Sequence, residues 1–262
     1  MSKLTLANLK RSPRIVANRL TVCLFAILYP LERVLFRYSR VGHAEFIDKS
    51  KFDWVPAIEE NWQQIRGELD QVLRYTDDIP DYQYLSDDAK GIAADDHWKS
   101  FFFYAYGVRI ASNCERCPAT AALLNRIEGM KSGFFSILQP GTHLRPHRGH
   151  YAGVLRYHLG LIVPDVERCR IRVGDRVEHW REGGSLIFDD TFEHEVWNDS
   201  DGLRVVLFVD FARPLPYPLA LLNNLMIWLV GHSSIVQPGV ARLKRWNEAF
   251  AAVWQKGAGG GN

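Results

Sequence analysis

HRG (147–149), LRYHLGL (155–161), FDDTFEHEVW (188–197) and LRVVLFVDF (203–211) decide how this chain reads. In LRYHLGL, Arg156 and His158 are two residues apart and share one face of a strand, while Leu155, Tyr157, Leu159 and Leu161 form the other. In LRVVLFVDF, Arg204, Val206, Phe208 and Asp210 share a face, opposite Leu203, Val205, Leu207, Val209 and Phe211. Apolar residues on both faces suit a sheet packed inside a sandwich or barrel, with a few polar groups aimed into a pocket. A buried arginine requires an anionic partner, because an unpaired charge in a core is very costly. The pattern therefore predicts a histidine pair of metal-binding type, His147 with His194, beside a site for a carboxylate-bearing ligand.

Working outward, further strands are predicted over 98–108, 132–139, 153–163, 168–173, 176–180, 185–188, 194–198 and 203–212. Gly174-Asp175 and Gly183-Gly184 mark turns. Many short strands separated by turns point to an all-β barrel with added helices. Ile58, Trp62, Ile65, Leu69, Val72 and Leu73 recur at helical spacing and predict one amphipathic helix over 55–75, with Pro56 in its first turn. A second helix is expected over 118–128. Residues 77–96 read as an acidic, turn-rich connection, and the GAGGG tail (257–261) as disordered.

The stretches PAIEENWQQIRGEL (56–69), FFSILQPGTHLRPHRG (134–149), GVLRYHLGLIVP (153–164), WREGGSLIFDDTFEHEVWN (180–198) and RVVLFVDFARPLP (204–216) resemble the aspartyl/asparaginyl β-hydroxylase family of Fe(II)- and 2-oxoglutarate-dependent dioxygenases. That resemblance implies a mainly β fold: a double-stranded β-helix, or jelly-roll, cupin-like barrel, with flanking α-helices and short apolar terminal helices. It implies His147 and His194 as catalytic iron ligands. Arg204, helped by Ser136, would hold the distal carboxylate of 2-oxoglutarate, and Arg156 with His158 nearby the metal-side carboxylate. Cofactor and co-substrates would be Fe(II), 2-oxoglutarate and O2. Relatives in the wider superfamily carry an acid two residues after the first histidine, completing a facial triad. Here that residue is Gly149, which fits hydroxylases that bind iron through two histidines alone and raises the question of whether Asp190 approaches the metal through water.

HRGHYAGVLRYHLGLIVP (147–164) and the basic, apolar N-terminal region are similar to the bacterial lipid A acyl 2-hydroxylase and ornithine-lipid hydroxylase branch. The implied substrate is a fatty acyl chain on a membrane lipid, met at the cytoplasmic face of the inner membrane. Two other readings stand beside it: hydroxylation of an Asp or Asn side chain in a protein, and a non-catalytic cupin-like binding or scaffold protein.

Composition sets wider bounds. The chain has 262 residues, 47% of them hydrophobic and 24% charged, with a formal net charge of +2. Its charge is unevenly spread: residues 1–40 hold eight Lys/Arg against one acid, and residues 45–100 fourteen acids against six bases. Basic ends suit an anionic surface. A nucleic-acid partner is not expected, since no basic stripe with interleaved aromatics runs through the domain. Cys114 and Cys117 have half a zinc-knuckle spacing with no second half, and are expected to lead into the helix near Pro118.

Two apolar runs bracket the barrel, LTVCLFAILYPL (20–31) and LALLNNLMIWLV (219–230). Both are shorter than the ~20 residues needed to span a bilayer, and the first leads into Pro30, Leu31 and Glu32 without a small-residue cleavage site. Two readings remain open: helices capping the barrel core, or an interfacial anchor with Trp228, Arg11, Arg14, Arg33 and Arg37 near the headgroups. The expected organisation is a membrane-associating segment (1–45), a dioxygenase domain with leading helices (46–216), and an apolar helical segment with its tail (217–262). Arg156 and Arg204 have a structural alternative as ion pairs with Asp190 or Asp210, as Asp189 and Asp190 have one as turn residues. His143, His150 and His179 read as bystanders, and Trp180 and Trp197 as core.

Overall fold

The computed structural model describes residues 31–86, 89–93, 97–149 and 151–259. Among these residues ten strands form two antiparallel sheets. The larger contains β1 (Trp98–Ala105), β2 (Val108–Arg109), β3 (Met130–Leu138), β5 (Val154–Ile162), β8 (Ser185–Phe188) and β10 (Arg204–Ala212), in the order β2-β1-β3-β10-β5-β8. The smaller contains β4 (Thr142–His147), β6 (Cys169–Val173), β7 (Arg176–His179) and β9 (His194–Asn198), in the order β4-β9-β6-β7. From β3 onward the chain passes back and forth between the sheets, interrupted only by the β6–β7 hairpin. That path makes a double-stranded β-helix with β1 and β2 added outside the barrel, and the mainly β jelly-roll expectation holds.

Burial explains why some strands alternate cleanly and others do not. β6 and β9 follow a strict buried/half-buried pattern, because one face meets the barrel interior and the other meets water. β10 is buried along nearly all its length. Its inner residues Val206 and Phe208 meet Ile171, Val173 and Val196 of the smaller sheet. Its outer residues Val205, Leu207, Val209 and Phe211 join Leu155, Tyr157 and Leu159 under helices α2 (Val55–Glu60), α3 (Trp62–Leu73) and α6 (Pro118–Leu124). Each such side chain contributes about 1.5–3 kcal/mol by leaving water.

Four local expectations are corrected. The helix predicted over 55–75 is two, α2 and α3, broken at Asn61, whose side chain donates to the Ala57 carbonyl (2.8 Å). The strand predicted over 98–108 ends at Ala105 and turns at Tyr106-Gly107, both with positive φ, into β2. The helix near Pro118 is preceded by another, α5 (Ala111–Arg116), which carries Cys114. β4 was not anticipated, because Pro146 and exposed polar residues hide its pattern. It lies at the edge of the smaller sheet, where a proline costs no ladder hydrogen bond.

Residues 31–38 are helical (α1), the connection after Ile79 contains α4 (Tyr82–Leu85), and two helices follow the barrel: α7 (Leu219–Gly231) and α8 (Gln237–Gly259). α8 enters the glycine-rich tail, and residues 260–262 lie outside the described residues, as does most of the apolar run 20–31. Leu35 of α1, Met226 and Ile227 of α7, and Tyr151 and Ala152 beyond β4 form one buried cluster. Among the described residues, no helix is long and apolar enough to cross a membrane.

Candidate active site

β4 ends and β9 begins at one end of the barrel, and the register pairs His147 with His194 there. A register shift between Leu144 and His147 turns His147 toward its partner. The imidazole centroids are 4.1 Å apart, their planes 53° from parallel. His147 Nδ1 lies 2.7 Å from the carbonyl oxygen of Arg145, and His194 Nδ1 3.1 Å from that of Phe192. Each carbonyl, two residues upstream, favours the tautomer with hydrogen on Nδ1 and a lone pair on Nε2, the form that binds a metal. Burial, then His147 and the Arg156 guanidinium, hold His194 well below the ordinary histidine range. His194 is therefore a neutral donor at neutral pH.

Among the described residues no three His, Cys, Asp or Glu side chains gather as a metal-binding group. The backbone shows what stands in the place of a third. Gly149 N–H donates to the Asp190 carbonyl (2.7 Å), and a Cβ built on Gly149 would overlap the Asp190 carboxylate. Asp190 thus fills the space a side chain at 149 would occupy. Its Oδ2 pairs with Arg156 Nη2 (3.0 Å), and Arg156 Nε donates to Asp210 Oδ1 (2.9 Å). Burial opposes the charge of Arg156, yet Asp210 and Asp190 raise its pKa above the ordinary arginine value. For Arg156 the ion-paired alternative is the arrangement observed.

Arg204 lies in the barrel interior in a different condition. It is 1% exposed, its guanidinium sits 4.3 Å over the Trp180 ring, and its Nε and Nη1 have no hydrogen-bond partner. Among the described residues it forms no salt bridge. Burial alone pushes it down to about 9. His158 is buried among Phe188, Phe208 and Trp180, and neither ring nitrogen has a partner. Burial, then Arg204 and Arg156, keep it well below the ordinary range. Ser136 is two strands from β5 on the same inner face, and its hydroxyl accepts from Trp98 Nε1 (3.0 Å). The unmet donors of Arg204 are what a carboxylate satisfies.

A family model described as aspartyl/asparaginyl β-hydroxylase matches residues 59–214. The chain belongs to this family. It is 42% identical over 222 residues to an ornithine lipid ester-linked acyl 2-hydroxylase of Rhizobium tropici, covering 84% of this chain and 79% of that protein. It is 36% identical over 165 residues to the aspartyl/asparaginyl β-hydroxylase of Mus musculus, where the match covers 61% of this chain but 22% of the mouse protein. The human aspartate β-hydroxylase domain-containing protein 2 is 32% identical over 180 residues, 64% of this chain and 46% of that protein. The hydroxylase family and the histidine pair thus meet in the same segment.

In this hydroxylase the two neighbouring aspartates of FDDTFEH part company. Asp189 is fully buried, accepts from Thr191 N and Oγ1, and pairs with Arg213 Nη2 (2.5 Å), so it holds the turn together. Asp190 faces Arg156 and a cavity of about 450 Å³ that begins at His147. Sequence reading missed that cavity's remaining walls: Phe102 and Phe134 of the sheet, and Ile227, Val230 and Val240 from the helices after the barrel. No local motif marks them, since only tertiary packing brings α7 and α8 over the sheet. His143 pairs with Glu195 (2.9 Å) and stacks on Trp197, and His179 bonds the Val166 carbonyl, both on other parts of the smaller sheet. His150 lies outside the described residues. Cys114, Cys117 and Cys169 are buried free thiols.

Proposed function

We propose that this hydroxylase uses Fe(II), 2-oxoglutarate and O2 to hydroxylate a fatty acyl chain carried by a membrane lipid, at the membrane surface. The observation that carries the lipid reading is α7. Its inner residues Asn223, Met226 and Ile227 are buried against the barrel, and Ile227 and Val230 border the cavity that begins at His147. Its outer face exposes Leu221, Leu222, Leu225, Trp228 and Leu229, preceded by Tyr217. α1 packs beside it and exposes Val34 and Tyr38 along with Arg33 and Arg37, and Arg40 is exposed just past its end. An apolar face with an interfacial tryptophan and flanking arginines matches an anionic bilayer surface, each arginine adding roughly 1 kcal/mol of attraction.

The residues present fit the cofactor set. His147 and His194 would hold the iron through Nε2, with Asp190, held by Arg156, as the nearest carboxylate. Arg204 would pair with the far carboxylate of 2-oxoglutarate in a charge-assisted bond that supplies its missing partner, with Ser136 and His158 on the same inner face. When bound, iron and co-substrate supply an oxidant that converts C–H to C–OH while 2-oxoglutarate and O2 yield succinate and carbon dioxide. The protein's own work is orientation and exclusion of water. Trp180, Phe188 and Phe208 wall the interior around Arg204 and His158, where a charge-assisted bond is strongest. The buried free thiols agree with action at the cytoplasmic face of the inner membrane, where ferrous iron and 2-oxoglutarate are supplied and thiols stay reduced.

The Rhizobium tropici relative, named for an ornithine-lipid acyl chain, supports this substrate class. Mass spectrometry of lipids and of tryptic peptides from cells with and without the gene tests it. A gain of one oxygen confined to an acyl lipid is expected. A gain confined to Asp or Asn of a peptide would transfer the assignment to protein hydroxylation, the activity named in the mammalian relatives. Substituting His194 with Ala and finding undiminished modification would leave the barrel as a binding protein. Sedimentation with anionic vesicles should carry the full chain into the pellet, and Leu225→Glu with Trp228→Glu should release it.

A further inference from the structure

The inner face of the larger sheet continues past the barrel, and it does so as a row of rings. His158 on β5 stands opposite Phe208 on β10, Phe208 opposite Phe134 on β3, and Phe134 opposite Phe102 on β1. Phe208 and Phe134 stack with centroids 4.2 Å apart, and Phe134 and Phe102 at 4.3 Å. The row begins at the candidate site, where the Arg156 guanidinium lies 4.3 Å over Phe208. It ends on a strand outside the barrel, three strands from β5, or roughly 14 Å away at the usual strand spacing. There a register shift between Phe102 and Tyr104 brings Ala105 onto the same face.

α4, α7 and the start of α8 roof this row. Their seating is close: a Cβ on Gly239 would overlap the Leu85 carbonyl oxygen, to which Arg242 Nη2 also donates (3.2 Å). The space between roof and row is the 450 Å³ cavity, partly open to solvent, which His147 borders. Aromatic rings below and Leu85, Ile227 and Val240 above offer a hydrocarbon chain apolar contact along most of a lining that also carries Lys131, Ser132, Arg156, Asp210 and Ser233. A peptide laid along the phenylalanine row would carry backbone N–H and C=O groups over rings that give them no partner, at a cost.

Building on the acyl-lipid reading above, we infer that this cavity is the chain-binding channel of the enzyme. The methylenes beyond the oxidised carbon lie along Phe208, Phe134 and Phe102, and Ala105 with Val240 sets the longest chain that fits. These two residues face the channel from sheet and helix, so enlarging either shortens it from an opposite side.

The test uses the full-length iron-loaded protein and a series of ornithine lipids differing only in ester-linked acyl length. For Ala105→Phe and, separately, Val240→Phe, the ratio of kcat/KM for long over short chains should fall about tenfold or more, since a misfit of a methylene in an apolar pocket has that size of effect. A short-chain lipid should still turn over, which guards against a folding defect in either variant. Independently of turnover, a lipid with a diazirine at the chain terminus should label peptides containing Ala105 or Val240. If wild-type protein oxidises the lipids but both variants keep its length profile and the label falls elsewhere, the channel is wrong and the lipid reading stands. If wild-type protein oxidises a peptide and none of the lipids, the acyl-lipid reading fails and the channel falls with it.

Discussion

Arg204 opens β10 and Arg213 follows its last residue, and at these opposite ends of one strand they meet the problem of a buried charge in opposite ways. Arg213 pairs with Asp189, donates from Nε to the Ala152 carbonyl (2.6 Å) and from Nη1 to the Gly42 carbonyl (3.2 Å). Arg204 has an indole ring beneath it and hydrogen-bond donors with nothing to donate to. A charge satisfied by its own chain holds the fold together. One left unsatisfied in the interior carries a standing cost that only an anion from outside removes, and such a cost is tolerated where a ligand binds. The neighbouring aspartates divide in the same way, Asp189 toward Arg213 and Asp190 toward the cavity.

The comparison is easiest to break at Arg213. Arg213→Met leaves Asp189 buried opposite no guanidinium, with only His43 (3.6 Å) and the Thr191 donors near it. A loss of about 3–5 kcal/mol in unfolding free energy is expected, as for other buried pairs cut on one side. Urea unfolding of the ligand-free protein measures it. A loss below that of Arg204→Met would remove the distinction between the two arginines.

Arg204→Met should show the reverse profile. Without ligand its stability should equal or exceed wild type, because an unpartnered buried charge is replaced by an apolar side chain of similar length. With ligand, 2-oxoglutarate binding should weaken by about 2–5 kcal/mol, the usual cost of truncating one side of a buried charge pair. Anaerobic calorimetry with Fe(II) present reads the affinity. Unchanged affinity would take Arg204 out of the co-substrate site.

How far the sequence reaches follows the same line between local and distant causes. Alternation in LRYHLGL and LRVVLFVDF was enough to place Arg156, His158 and Arg204 on inner faces, since a strand's period is a local property. The histidine pair was legible because HRG and FEH sit beside strand-like sequence. The partners of Arg156, Asp190 and Asp210, were legible only as an alternative to a ligand-binding role, because Asp210 lies on another strand and Asp190 has the look of a turn residue. β4 was hidden by Pro146, a residue that reads as a strand breaker until the strand is known to be at an edge. α8 lies within the helical segment expected after 217, and Trp246, Phe250 and Trp254 recur at helical spacing in it, but its role over the cavity comes from packing that no motif encodes.

A smaller effect sharpens the comparison at Gly149. Any side chain there must displace the Asp190 carboxylate and so disturb its pair with Arg156. Gly149→Ala should lower turnover about 10- to 100-fold, the range seen when groups supporting a metal site are moved, while costing about 1–3 kcal/mol of stability from overpacking. Gly149→Asp faces the same clash, so it cannot simply add a third ligand. Activity equal to wild type in Gly149→Ala would mean that the position of Asp190 is irrelevant to the reaction.

His158 gives the smallest and most specific effect, and it separates ligand-directed polarity from structural polarity by pH. Both nitrogens of His158 are unpartnered, so the native metal-free protein keeps it neutral, while the unfolded chain takes up a proton as pH falls through about 6.5. The unfolded state then binds more protons than the native one, and stability falls with acid by up to about 1.4 kcal/mol per pH unit for this group. His194, also held neutral by burial, adds a similar slope. His158→Phe removes the first contribution and leaves those of His194 and of His43, also lowered chiefly by burial, so the stability loss between pH 6.5 and pH 5, measured by urea unfolding without metal, should become shallower. At neutral pH the variant should be about 1 kcal/mol more stable, because two unsatisfied nitrogens leave the interior. A partnered, structural histidine would do the opposite and lose stability on replacement. Weakened 2-oxoglutarate binding in the same variant would assign the polarity of His158 to the co-substrate, as for Arg204.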